Sequence, residues 1–485
     1  MADRAPTVVW FRKDLRLDDN PALQAAIARG APIVSLFVLD DETAGDWRPG
    51  GASRWWLHHS LDALSRCLAE RGAPLVLRRG HADQIVPQVV AECGATAVYW
   101  NRCYEPFAIE RDRRLKASLK DNGIEAQSFN ASLLHEPWTV ETKSGEPFKV
   151  FTPFWKALRE RGDPPAPQTV PARLAEGAAL PSDRLESWAL LPTTPDWAGG
   201  LRESWSVGEA AARERLSAFL ENGLAGYGDK RNRPDLPFTS RLSPHLAWGE
   251  IGPRQIWHWT MEYLRRDRTP GLEDEAWGFL RELGWREFSY HLLYHWPDLP
   301  ETAWKPAFGA FPWNEDEAAF HAWCQGKTGY PIVDAAMREL YATGWMHNRM
   351  RMVTASFLIK DLLIPWQRGE AWFWDTLVDA DLANNAASWQ WVAGSGADAA
   401  PYFRIFNPVR QGETFDPDGT YVRRWVPELA GLSNSFIHRP WEAPDAVLSD
   451  AGVELDSGYP WPLVDHKAAR DRALAAYKAI GKGAA

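Results

Sequence analysis

Short hydrophobic runs alternate with amphipathic stretches along the first 130 residues of the chain. The runs are rich in Val, Ile, Leu and aromatic residues, as buried strands are, and the stretches between them have helical spacing. This alternation forms right-handed βαβ units and predicts a doubly wound parallel sheet. The predicted strands are Thr7–Phe11, Ile33–Leu39, Leu75–Arg78, Ala97–Trp100 and Ala126–Phe129. The predicted helices are Pro21–Ala28, Ser53–Ala69, Ala82–Glu92 and Phe107–Asp121.

The pattern changes twice beyond this region. Residues 136–205 are rich in proline, which is typical of a long connector on the surface. From residue 206 onward the hydrophobic positions follow helical spacing, in segments broken by Pro and Gly. The sequence therefore predicts an α/β domain over 1–135, an interdomain connector over 136–205 and an all-helical domain over 206–485. A chain of 485 residues is too long for one compact core, which agrees with this division.

Composition excludes several classes of protein. The chain has no run of about 20 apolar residues, as a membrane span requires, and its charged start, MADRAP, is unlike a signal peptide. Its four cysteines form no C-x-x-C pair, which predicts reduced thiols in a cytoplasmic protein with no zinc site. The dinucleotide-binding glycines are missing after the first strand, where Arg12-Lys13-Asp14 stands instead. A net charge of −10 argues against nonspecific nucleic-acid binding, but leaves room for a local basic groove.

Tryptophan is the compositional anomaly. The chain has 28 tryptophans, and 18 of them lie between Trp248 and Trp461. An indole offers a flat π-face and a ring that can lose one electron, neither of which Leu, Val or Ile provides. The excess therefore suggests a stacked ligand or an electron path, although many of these indoles are expected to be core.

Three segments carry candidate chemistry in the helical region. Ser243 and Pro244 are typical of the N-cap and first residue of a helix, and a helix start flanked by Thr239, Ser240 and Arg241 also suits a phosphate. Helical spacing places Glu282, Trp285 and Arg286 on one face; a surface ion pair beside a packed indole is an equal alternative. The same spacing aligns Trp345, Asn348, Arg349 and Met352, which suits a flat polar ligand better than a dry core.

The densest block spans 379–408 and holds three acids, four amides, two indoles and an arginine within 30 residues. This set is expensive to bury without a ligand. Its Gly394–Ala399 stretch matches G-x-G-x-x-A, but no clear strand precedes it and Pro401 follows, so a dinucleotide loop is not predicted.

At these residues the chain resembles the DNA photolyase/cryptochrome family, nearly from end to end. The resemblance rests on VVWFRKDLRLDDNPAL, TSRLSPHL, KTGYPIVDAAMREL with WMHNRMRM, and NNAASWQWVAGSGADAAPYFRIFNP. The pattern is most similar to bacterial cyclobutane pyrimidine dimer photolyases, and WVAGSGADA favours class III over class I.

The resemblance implies FAD in the helical domain, active in its reduced form. It assigns the phosphates and ribityl chain to Tyr227, Thr239, Ser240, Arg241, Leu242 and Ser243. It assigns the flavin surroundings to Arg286, Asn348, Arg351, Asp379, Asp381 and Asn385. Asn385 matches the position that faces the flavin N5, where an amide serves more than one protonation state.

The resemblance also implies duplex DNA as partner, with the dimer flipped out of the helix. The lesion would be held by Glu282, Trp285, Asn348, Arg349, Met352 and Trp391, and phosphates by Arg231, Arg349 and Arg404. Glu282 and Asn385 would be the catalytic residues, and Trp389, Trp366 and Trp313 the chain that re-reduces FAD. Asn348 and Met352 stand where photolyases for the (6-4) lesion carry a histidine pair, and Trp391 stands where DASH cryptochromes have Tyr.

Several alternatives stay open at this point. The antenna pigment would be methenyltetrahydrofolate or 8-hydroxydeazaflavin, with Glu105, Glu146 and Lys149 as candidate contacts. The leading prediction is a monomeric, cytoplasmic enzyme that associates with the nucleoid when bound to DNA and repairs cyclobutane dimers in light. A blue-light receptor is the alternative, and a flavin oxidoreductase is a third for which no nicotinamide site is visible.

Overall fold

The computed structural model describes residues 5–399 and 403–482. Five parallel strands form one sheet in the order β3-β2-β1-β4-β5, with Val8 of β1 beside Val34 of β2 and Val98 of β4. The predicted strands and α/β architecture are confirmed, each strand boundary agreeing to within one residue. The strands are β1 Thr7–Phe11, β2 Ile33–Leu39, β3 Leu75–Arg79, β4 Ala97–Asn101 and β5 Glu125–Phe129.

Helices alternate with these strands and then dominate. Asn20 caps the first helix by accepting a hydrogen bond from the Leu23 N–H at 3.1 Å, and Gly94 ends the third with φ 63°. The α-helices within the described residues are α1 Pro21–Arg29, α2 Gly51–Glu70, α3 Ala82–Cys93, α4 Pro106–Asp121, α5 Phe151–Arg159, α6 Gly199–Ser204, α7 Glu209–Asn222, α8 Tyr227–Lys230, α9 Ser243–Ala247, α10 Pro253–Arg266, α11 Leu272–His295, α12 Glu317–Cys324, α13 Pro331–Thr343, α14 Asn348–Ser356, α15 Trp366–Thr376, α16 Leu382–Ala393, α17 Pro408–Phe415, α18 Thr420–Trp425, α19 Asp445–Asp450 and α20 His466–Lys482. A π-helical turn, Phe357–Asp361, continues directly from α14.

The chain divides into two compact units. The first unit comprises residues 1–225, 240–297 and 378–383, and the second comprises 226–239, 298–377 and 384–485. The predicted boundaries at 135 and 205 remain a prediction. In the described part of 206–482, every named element is a helix, and no helix is long and apolar enough to cross a bilayer.

Buried polar side chains lie at the carboxyl ends of β1 and β4. The Asn101 side chain donates to Asp14 at 2.6 Å, and the Arg12 guanidinium donates to Asp112 at 2.6 Å. Arg12 is 7% exposed and Asp14 2%. In doubly wound sheets this edge is where a dinucleotide lies, so these side chains stand in place of the glycine-rich loop.

Candidate flavin and lesion site

The segment that matches TSRLSPHL is anchored by aromatic and charged contacts in the first unit. Arg241 lies over the Trp205 ring at 4.5 Å and has φ 49°, an uncommon conformation for a residue with a side chain. Below it, fully buried Glu250 contacts His245 Nδ1 at 2.5 Å and accepts from Trp56 Nε1 at 3.1 Å. These contacts hold the start of α9 in place.

The predicted N-cap at Ser243 is wrong by one position. Ser243 is the first residue of α9, Leu242 precedes it, and no side-chain capping bond starts this helix. Pro244 still lies in the first turn, where its missing N–H costs nothing. Ser243 is exposed and Leu242 is buried, so only the serine presents its side chain to solvent.

α11 carries Glu282, Trp285 and Arg286 as the spacing predicted. The Trp285 ring stacks on Phe151 of α5, with ring centroids 3.6 Å apart and planes 8° apart. Because Phe151 also stacks on Trp155, Trp285 is the end member of a row of parallel rings. Glu282 and Trp285 are both half-buried.

Arg286 is the buried member of this group. Its guanidinium donates to the Ser132 carbonyl at 2.5 Å and lies 4.8 Å from the Tyr290 ring. Tyr290 in turn donates its hydroxyl to Asp381, and burial raises the pKa of Tyr290 well above its ordinary value. Asp379 and Asp381 are 7% and 6% exposed. Arg286 also lies 3.8 Å from the Glu287 carboxylate, so the first unit buries this cation with a paired carboxylate.

In the second unit, α14 presents Asn348, Arg349 and Met352 near one another, but the predicted position of Trp345 is wrong. Gly344 ends α13 with φ 67°, and Trp345 lies in the loop before α14. His347, which the sequence reasoning missed, caps α14 by accepting from the Arg349 N–H at 3.2 Å. Burial lowers the pKa of His347 to about 4, so this histidine is neutral.

Arginines gather around α14. Arg349 donates to Asn232 at 2.9 Å and lies 4.6 Å from the Phe415 ring. Burial, then repulsion from Arg404 and Arg231, lowers the pKa of Arg349. An anion bound near Arg349 would relieve this repulsion. Arg351 is half-buried, and its Nε donates to the Met346 carbonyl at 2.8 Å.

Asn385 is held by a residue that sequence reasoning missed. It is 9% exposed, and its Nδ2 donates to the Glu370 carbonyl at 3.0 Å. Burial raises the pKa of the Glu370 carboxyl well above its ordinary value. The sequence around Glu370 gives no signal of such burial.

The three predicted electron-transfer tryptophans lie on connected elements of the second unit. The Trp389 ring packs directly on Gly369, one turn along α15 from Trp366. Trp313 is followed by Asn314, whose main-chain N–H donates to the Leu363 carbonyl at 2.7 Å. Leu363 stands three residues before Trp366 in the sequence. Trp366 and Trp389 are 1% and 2% exposed, whereas Trp313 is half-buried. Their role as an electron path therefore remains a prediction.

The remaining predicted residues differ in their exposure to solvent. Tyr227 is 5% exposed at the start of α8, with Arg231 5.1 Å from its ring. Thr239 and Trp391 are half-buried, and Arg404 is exposed.

The three antenna candidates differ in burial. Glu105 is buried and pairs with Lys13 at 2.5 Å. Burial alone would raise the pKa of Glu105, but the contact with Lys13 more than offsets this and leaves it lowered. Glu146 and Lys149 are exposed, with Lys149 Nζ 5.7 Å from the Trp296 ring.

Known proteins match this chain over almost its full length. Residues 7–172 match the DNA photolyase family, and residues 279–479 match the FAD binding domain of DNA photolyase. The chain is 52% identical to a deoxyribodipyrimidine photo-lyase of Agrobacterium fabrum, over 99% of this chain and 98% of the relative. It is 40% identical to Cryptochrome-1 of Arabidopsis thaliana, over 96% of this chain and 69% of that protein. The crystal structure of a class III photolyase from Agrobacterium tumefaciens superposes with a TM-score of 0.95 at 52% identity, covering 99% of both chains. The chain therefore belongs to the DNA photolyase/cryptochrome family.

Proposed function

We propose that this chain is a deoxyribodipyrimidine photo-lyase that splits cyclobutane pyrimidine dimers in duplex DNA under blue light. The observation that carries the proposal is the stack between α5 and α11, in which the Phe151 ring packs flat against Trp285, three residues from Glu282. Such a flat surface suits the saturated, face-to-face rings of a dimer. We further propose that the enzyme is a cytoplasmic monomer that joins the nucleoid when it binds DNA.

The residues present fit FAD. Ser240, Arg241 and Ser243 combine hydroxyls with a guanidinium whose position is fixed by Trp205, as a diphosphate requires. Buried Arg286, Asp379 and Asp381 and the amide of Asn385 supply donors and acceptors for a flat, polar ring system. When bound, reduced FAD supplies the electron that opens the cyclobutane ring on illumination and receives it afterwards.

The protein residues position the lesion. Trp285 and Trp391 would pack against the two pyrimidines, and Asn348 and Met352 would contact their edges. Glu282 would hydrogen-bond a pyrimidine carbonyl and stabilise the charge that develops there. Arg231, Arg349 and Arg404 would neutralise the flanking phosphates. A flipped-out dimer is selected because unpairing a damaged base step costs less than unpairing an intact one.

We assign re-reduction of the cofactor to Trp389, which packs on Gly369 of α15, to Trp366 at the start of α15, and to Trp313. For the antenna we propose methenyltetrahydrofolate, with 8-hydroxydeazaflavin as the alternative. Glu146 and Lys149 are exposed and could contact such a pigment, whereas Glu105 would have to exchange its pairing with Lys13.

The test is repair of a defined lesion. Purified protein with pre-reduced FAD is mixed with a duplex containing one thymine dimer, illuminated with blue light and analysed for restored thymine. We expect the dimer to disappear in light and to persist in darkness. Trp366→Phe should block photoreduction of oxidised FAD yet leave repair by pre-reduced protein intact. A dimer that persists in light would overturn the proposal in favour of a cryptochrome-type receptor, which the 40% identity to Cryptochrome-1 makes the natural rival.

A further inference from the structure

Lys360 is a buried lysine that the chemistry described above does not use. It lies in the π-helical turn Phe357–Asp361 and is 2% exposed. π-Helical turns occur often at functional sites, and burying an ammonium is costly unless its hydrogen bonds are satisfied. Burial lowers the pKa of Lys360 to about 7.

The Lys360 ammonium is directed at the segment that carries Arg404. Its Nζ donates to the Arg404 carbonyl and lies 4.7 Å from the Phe403 ring. Two residues further on, the Phe406 N–H donates to Ser356 Oγ at 3.3 Å. Ser356 and Lys360 are one turn apart, so successive turns of one helix fix both ends of the segment 403–406.

Two neighbouring charged groups act on this ammonium in opposite directions. The Asp361 carboxylate attracts it and favours its charged form, although the same carboxylate contacts His466 Nδ1 at 2.5 Å. Arg472 donates to the Asp361 main-chain carbonyl at 2.6 Å rather than to this carboxylate. Arg404 is the other charged group that faces Lys360, and it repels the ammonium. Lys360 therefore works mainly as a charged donor to a main-chain carbonyl.

We propose that Lys360 is a positioning residue for DNA binding: its ammonium holds the Arg404 main chain so that the exposed guanidinium meets a DNA phosphate. This inference rests on the proposed function, because it needs Arg404 to contact DNA. The charge on Lys360 matters because a hydrogen bond from a neutral donor to the same carbonyl would be about half as strong.

A double-mutant cycle tests the inference. Lys360→Met, Arg404→Ala and the double variant, each as the full chain with FAD, are titrated with a fluorescent duplex containing a thymine dimer. We expect Arg404→Ala to weaken binding about tenfold and Lys360→Met about fivefold. The double variant should bind no more weakly than Arg404→Ala alone, because Lys360 acts through Arg404. Lys305→Met is the matched control: Lys305 also donates to a main-chain carbonyl, that of Gly394, at 2.9 Å. Any effect of Lys305→Met should add to that of Arg404→Ala.

The pH profile separates positioning from simple folding support. Wild-type affinity should fall as pH rises through about 7, where Lys360 loses its proton, and Lys360→Met should remove this step. If Lys360→Met is too unstable to purify, Ser356→Ala, which releases the other end of the segment, should show the same non-additivity with Arg404→Ala.

Two results would overturn the inference alone: wild-type affinity in Lys360→Met, or additive effects of the two substitutions. An Arg404→Ala variant that binds as tightly as wild type would instead overturn the DNA contact assigned to Arg404, whatever Lys360 does.

Discussion

Burial moves several ionisable side chains toward their uncharged forms. It raises the pKa of Glu287 to about 7 and lowers the pKa of His347 to about 4. Glu287 is 4% exposed, and its Oε2 accepts from the main-chain N–H of Leu134 at 2.9 Å and of His135 at 3.3 Å. Each such group makes the free energy of unfolding depend on pH.

Glu287→Gln should make the free energy of unfolding depend less on pH between about 4.5 and 7. The carboxyl has a pKa of 4.5 when unfolded and about 7 when folded, so the folded state binds more protons between these values. The wild type therefore loses stability as pH rises through this window, by up to about 3 kcal/mol. Glutamine keeps an oxygen that accepts from Leu134 and His135 but does not ionise. Urea unfolding at several pH values should show the variant gaining on the wild type from pH 4.5 to 7, and parallel curves would contradict the assignment.

At this scale the sequence predicts residue types better than their environments. Glu282, Trp285 and Arg286 can be identified because they stand one helical turn apart. Glu287 and Lys360 cannot, because their burial depends on partners far along the chain, Leu134 for one and Arg404 for the other. No local pattern encodes those distances.

Among the elements, the sheet is the most predictable part. β1, β2 and β4 are short, continuously buried hydrophobic runs, as is typical of a parallel sheet that is covered on both faces. The helices of the same region agree with the prediction to within two residues. The predicted alignment of Trp345 with Asn348, Arg349 and Met352 on one helix is wrong, because Gly344 ends α13 and the next helix begins only at Asn348.

Phe151→Leu tests the stack that Phe151 of α5 forms with Trp285 of α11. Leucine fills part of the space but removes the flat partner of Trp285, so the indole is free to tilt. We expect affinity for dimer-containing duplex to fall about five- to tenfold while affinity for undamaged duplex stays unchanged. Anisotropy titrations with both duplexes measure this.

Phe148→Leu is the control, because Phe148 is also buried but lies edge-on to Phe154 at 6.0 Å, and no ring contact joins it to Trp285 in the described residues. If the two variants weakened lesion binding equally, the stack would have no special role.

For the molecule as a whole, charge is distributed unevenly. The chain carries a net charge of −10, yet Arg349 has a pKa lowered by burial and then by repulsion from Arg404 and Arg231. Sequence clustering of arginines indicates a basic region without showing which arginines meet, since Arg231 stands more than a hundred positions before the other two. Only the packing of the second unit brings them together.

The salt dependence of binding should report these arginines. Removing one arginine–phosphate contact should reduce the slope of log K against log salt concentration by about 0.9. Arg231→Ala and Arg349→Ala should therefore flatten the slope for damaged and undamaged duplex alike. Arg368→Ala is the control, because Arg368 is already paired with Glu317 at 2.6 Å. An unchanged slope in the first two variants would exclude them from the DNA contact.

Gly369 restricts which substitutions the protein can accept at two positions. A methyl group at 369 would overlap the outer edge of the Trp389 ring and the Leu358 side chain, so the absence of a side chain is what lets the indole lie against α15. Positions 369 and 389 are therefore coupled: a larger side chain at 369 would clash with the indole at 389. An ancestor or a designed variant that fills 369 would have to give up the indole at 389 in the same step, and with it the innermost member of the proposed tryptophan path.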